Sequence, residues 1–181
     1  MAQEISLLIP DFRKQLLRCI AAAREQKLGI EVISTVITPL EQGSLWRQGR
    51  TRTDAELKVM ALQNAKANYL ADCLQRAVAQ GTNLATDLLP GLSWQQWGES
   101  AQIVWIDNGN KVNWSSRTDF GRGNGYRKFA EICQQFNIHS CGEEADNDVS
   151  WRTIRLRQEP LPTDVYTLTQ IDAEMRRRFE K

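Results

Sequence analysis

The chain has a single histidine, His139, flanked by Cys133 and Cys141 and followed by Glu143 and Glu144. Imidazole, thiolate and carboxylate are the donors zinc takes, so this stretch is the first place to look for metal chemistry. Its spacing argues against that chemistry. Zinc ligands usually come as close pairs such as Cys-x-x-Cys, whereas His139 and Cys141 merely alternate along an extended segment. The expectation is that Cys133 packs inside a helix core and His139 sits near a turn. Gly121, Gly123 and Gly125 alternate as phosphate-loop glycines do, but they follow Asp119 and Phe120 instead of a hydrophobic strand. A surface loop from Arg117 to Asn124 is expected there. Arg176, Arg177 and Arg178 are too short a basic run for nucleic acid and suit the C-terminal end of a solvated helix.

Those residues are carried by elements that the hydrophobic period reveals. Phe12, Leu16, Ile20 and Ala23 recur at helical spacing between Asp11 and Lys27, with Pro10 as a start and Gly29 as a stop. The β-branched run Ile30 to Ile37 reads as a strand feeding a short helix near Glu41 to Gln48. Asp54 is placed to cap a long helix reaching about Gln80, with Leu62, Ala65, Tyr69, Cys73 and Ala77 as its stripe. Segments Gln102–Ile106 and Lys111–Trp114 flank Asp107-Asn108-Gly109-Asn110, a hairpin signal. A helix from Gly125 to Phe136 follows. Trp151 to Arg157 then alternates, with Ile154 and Leu156 on a dry side and Arg155 and Arg157 on a wet one. Pro160 and Pro162 form a stiff spacer before a capped helix from Thr169 to about Phe179. Helices flanking a small antiparallel sheet make the expected fold class α+β.

Composition narrows the partners. The chain has 181 residues, 41% hydrophobic and 25% charged, enough to bury a core without disulfides or metal. A formal charge of +1, from 23 basic and 22 acidic residues, supplies no field for nucleic acid or an anionic membrane, and neither partner is expected. Glu4 stands where a secretory signal would be basic, and Asp11 interrupts the apolar run after it, so no export signal is read and synthesis in the cytoplasm is expected. Cys19, Cys73, Cys133 and Cys141 read as reduced thiols.

Three blocks carry a likeness: Leu45-Trp46-Arg47-Gln48-Gly49-Arg50-Thr51, Leu89-Pro90-Gly91-Leu92-Ser93-Trp94, and Gln96-Trp97-Gly98-Glu99. In these, over about Ile30 to Arg157, the chain resembles the D-alanyl-D-alanine carboxypeptidase and L-alanyl-D-glutamate endopeptidase family, the VanY-type zinc peptidases and related phage lysins. The resemblance implies the fold of those enzymes for residues 1–158, with a family-like core at 30–157 and an appended spacer and helix at 159–181. It also implies what has been lost. The family's Ser-x-His-x-x-Gly-x-Ala-x-Asp block puts Gln95 at the His ligand and Gln102 at the Asp ligand. The third ligand falls on Trp151, behind an acid kept at Asp148, and the substrate-binding Arg falls on Ile37.

Amide oxygens and an indole do not replace the imidazole and carboxylate donors of a catalytic zinc, and an isoleucine offers a substrate carboxylate neither charge nor donor. No zinc or other cofactor is therefore expected. The resemblance leads to an inactive peptidase-like protein kept as a structural or interaction module, of the sort a phage-derived or contractile injection assembly would use. A peptidoglycan stem-peptide binder that does not cut is the alternative, with Gln42, Arg50, Ser93 and Arg152 as candidate cleft residues. An active cell-wall peptidase with an atypical metal site is the third reading. Trp46, Trp94 and Trp97 are expected to pack, and Trp151 to plug the old cleft. The helix behind Pro160 and Pro162 is read as docking either on its own chain or on a partner or second copy.

Overall fold

The computed structural model describes residues 5–107, 111–117 and 123–180. The turn at 108–110 and the loop residues 118–122, both read from the sequence, lie outside the described residues. In chain order the elements are α1 (Pro10–Glu25), β1 (Gly29–Ser34), α2 (Pro39–Arg47), α3 (Arg52–Asn64), α4 (Asn68–Arg76), β2 (Ser100–Ile106), β3 (Val112–Asn113), α5 (Gly125–Gln134), β4 (His139–Ser140), α6 (Asp148–Trp151), β5 (Thr153–Arg155) and α7 (Leu168–Phe179). The fold is mixed helix and antiparallel sheet, the α+β class. No helix among the described residues is long and apolar enough to cross a membrane.

The chain divides into two compact units, Met1–Val36 with Trp97–Gln158 and Ile37–Gln96 with Glu159–Lys181. The first holds the sheet, in the order β1-β2-β5-β4, with β3 paired to the end of β2. β2 is its centre: Ile30 to Val32 pair with Trp105 to Ile103 on one edge, and Ser100, Ala101 and Gln102 pair with Arg155, Ile154 and Thr153 on the other. Strand alternation sends Ala101, Ile103 and Trp105 into one core with Ile30 and Ile154. α1 brings Phe12, Leu16, Cys19, Ile20 and Ala23 to that core, and α5 brings Phe129, Ala130 and Cys133. Pro10 opens α1 as expected, and the Asn124 side chain caps α5 by accepting from the Tyr126 and Arg127 amides.

The second unit is helical. The expected long helix from Asp54 is two helices, because Lys66 adopts a left-handed conformation (φ 60°) and breaks the run between α3 and α4. Asp54 is not the cap. Thr51 accepts from the Asp54 amide, and the Asp54 carboxylate accepts from the Thr51 backbone N–H and hydroxyl. The stripe shifts with the break: Leu70, Ala71, Cys73 and Leu74 are buried on α4, while Tyr69 is half-buried. α7 packs against α4 through Ile171 and Met175, and Asp172 accepts from the Leu70 amide at 2.9 Å. The terminal helix thus docks on its own chain, with Arg176, Arg177 and Arg178 paired to Glu180 and Glu174.

Candidate functional site

β2, β5 and the turn before β5 position the residues that the peptidase resemblance singles out in the first unit. Gln102 lies on β2 opposite Ser34 and Thr153. Alternation turns its side chain to the face opposite that of Ala101 and Ile103. Trp151 ends α6 and is only 6% exposed, packed in the core to which Ala101 and Ile103 belong. The structure therefore does not bring Trp151 to the face of Gln102. Its cross-strand neighbour there is Thr153, which the sequence reading passed over; matching the alternation of β5 to that of β2 is the signal that finds it.

Trp151 is held on every side the structure describes. The indole Nε1–H donates to Asp146 at 2.7 Å, the Arg127 guanidinium lies 4.5 Å from the ring centroid, and a Cβ built on Gly142 would come within 2.1 Å of the ring. Only glycine allows that approach. The hydrogen bond from Trp151, with Arg127 nearby, holds the Asp146 carboxyl below the usual carboxylate range.

Asp148, the acid at the expected catalytic position, opens α6 and accepts from the Ser116 hydroxyl and amide, each at 2.6 Å. Those two bonds pull its pKa below the ordinary value. A general base works best with a pKa near the operating pH, and these bonds move Asp148 the other way. Arg152 donates to the Asp148 backbone carbonyl at 3.0 Å and lies over Trp114, with 5.2 Å to the ring centroid.

The correction in this unit concerns Arg155, expected on the wet side of its strand. It is 4% exposed, and its guanidinium donates to Glu144, to Cys141 Sγ at 2.8 Å and to the Gln158 carbonyl at 2.8 Å. Sequence alternation identifies the side of β5 on which Arg155 lies, but the ion pair that permits its burial is invisible from one strand. The cysteine and histidine cluster is used in the same way. Cys133 is buried and hydrogen-bonded to Cys19, and that bond with burial pushes its thiol pKa up. Glu143 accepts from Gln134 at 2.6 Å, and His139 sits half-buried on β4 opposite Arg155. No group of three or more His, Cys, Asp or Glu side chains arranged for a metal occurs among the described residues.

In the second unit, Gln95 is 8% exposed and its backbone N–H donates to Ser93 Oγ at 3.3 Å, while Ile37 is half-buried before the Thr38 cap of α2. Gln42 is buried and donates to the Leu88 carbonyl at 2.7 Å. Arg50 stacks on Trp46, with 4.3 Å to the ring centroid, and its guanidinium donates to the Trp46 and Thr86 carbonyls and to Asp87. Gln42 and Arg50 thus both tie the segment 86–88 to α2. Trp46 and Trp94 are buried in this unit, and Trp97 is buried in the first.

Taken one by one, Gln95, Gln102, Trp151 and Thr153 carry neither the imidazole, nor the thiolate, nor the carboxylate that zinc commonly takes as donors. Comparison with protein-family models and with curated proteins finds no match.

Proposed function

We propose that the chain is a peptidase-like protein without hydrolytic activity, retained as a structural or interaction module. The single observation that carries the reading is the chemistry at the end of the central strands. Gln102 on β2 faces Thr153 across the ladder, and the neighbouring ring of Trp151 is fixed into the core. Whether Trp151 or Thr153 aligns with the lost ligand, neither supplies an imidazole, so the reading does not depend on that choice. Asp148 is tied to Ser116 and held at low pKa, which suits a structural carboxylate.

The stem-peptide reading is the weaker one. It needs a cation for the substrate carboxylate, and Arg50 is already committed to Asp87 and two carbonyls while Arg152 is held over Trp114. A phage-derived or contractile assembly remains the setting that the resemblance favours.

The test uses purified protein supplied with zinc. Chelator competition is expected to show no stoichiometric tight zinc, and mass spectrometry of muropeptides incubated with it no released fragment. Equimolar zinc or a cut peptide bond would overturn the reading.

A further inference from the structure

On α3, Asp54, Leu57, Lys58 and Ala61 fall at the spacing of one helical side and line an open groove of about 540 Å³, which Trp46 and Leu84 also line. Apolar side chains on this surface point outward. Leu57 is 60% exposed, Leu84 67% and Met60, one turn from Leu57, 58%, whereas the helix buries only Ala55 and Leu62. Neighbouring apolar side chains this exposed mark a contact surface.

The charges on the same side name the occupant. Asp54 and Lys58 stand one turn apart with opposite sign, bracketing Leu57. Lys58 forms no ion pair among the described residues, and both capping bonds of Asp54 use Oδ2, so that its Oδ1 is left for another contact. A surface that meets its own copy across a two-fold axis must be self-complementary. An axis crossing α3 near Glu56 runs two copies of the helix antiparallel and sets Asp54 of each against Lys58 of the other. It also sets Leu57 of each copy beside Leu57 of its mate, at the mouth of the groove.

We propose that the chain self-associates as a two-fold dimer through α3. The proposal is independent of whether the chain hydrolyses anything. Apolar burial supplies the affinity, and the two symmetric ion pairs, worth little singly, fix the register.

Light scattering coupled to size exclusion on the full chain, over a wide concentration range, is expected to show a species of twice the 20.7 kDa chain mass. Leu57→Glu buries a charge at the seam and is expected to weaken association by at least about 30-fold, the level of an interface hot spot. Lys58→Glu, at an exposed position, is expected to weaken it about threefold to tenfold and to make high salt favourable instead of unfavourable. Far-UV circular dichroism confirms that each variant is folded. A monomer at every concentration, or a dimer that survives Leu57→Glu unchanged, overturns the proposal.

Discussion

Arg155 shows how one buried cation organises the end of a sheet. Its guanidinium bonds Glu144, Cys141 and the carbonyls of Arg157 and Gln158, so the turn at Cys141–Glu143 and the strand exit are held by one side chain. Arg155→Met keeps much of the volume but leaves those acceptors unpaired, and is expected to cost about 2–4 kcal/mol in urea unfolding. Glu144 is half in water, which sets the lower end of that range. Glu174 gives a pH signature. Hydrogen bonding from Arg177, opposed by partial burial and aided by Arg178, lowers its pKa from 4.5 to about 2. A folded pKa below the unfolded one stabilises fully above pH 4.5, and that contribution is lost as pH falls toward 2. Thermal unfolding followed from pH 6 down to about pH 2 is therefore expected to fall more steeply for the native chain than for Glu174→Gln, by at most about 1 kcal/mol for so accessible a pair.

At the scale of elements, the break between α3 and α4 is the clearest prediction. Lys66 occupies φ 60°, a conformation costing a residue with a Cβ about 1 kcal/mol, so Lys66→Gly is expected to stabilise the protein by up to that amount. Lys66→Val is expected to destabilise it, and denaturant midpoints separate the two. The same break shows what the sequence could convey. α1, β1, β2, α5 and α7 were legible because period and stop signals act locally. The Ala65-Lys66-Ala67 reversal was not, since all three are good helix formers, and the closing bond from the Ala67 amide to the Leu62 carbonyl leaves no mark in residue type. At the candidate site, the residue types of Asp148, Gln102 and Trp151 were legible, but not that Trp151 packs into the core. The cross-strand pairing of Gln102 with Thr153, and the Ser116 bonds to Asp148, were not, because they join segments far apart in the chain.

On the scale of the whole chain, periodicity carries no trace of the division into units, since the segment between β1 and β2 and the tail behind Gln158 form one unit although the sheet strands β1 and β2 flank that segment. The tail then has a structural task that its Pro-rich spacer disguises. Ile171 and Met175 are fully buried, a Cβ on Gly91 would meet Ile171 at 2.7 Å, and Asp172 satisfies the Leu70 amide at the start of α4. Burying two such side chains is worth about 3–6 kcal/mol, comparable with the whole stability of a small domain. A chain ending at Gln158 should therefore lose amide protection in α4, where Leu70 and Leu74 become exposed, while β2, whose core comes from α1 and α5, keeps most of its own. Hydrogen exchange read by mass spectrometry distinguishes the peptides covering Asn68–Arg76 from those covering Ser100–Ile106. If α4 stays protected without the tail, α7 is an appendage and its buried residues contribute far less than their contacts imply.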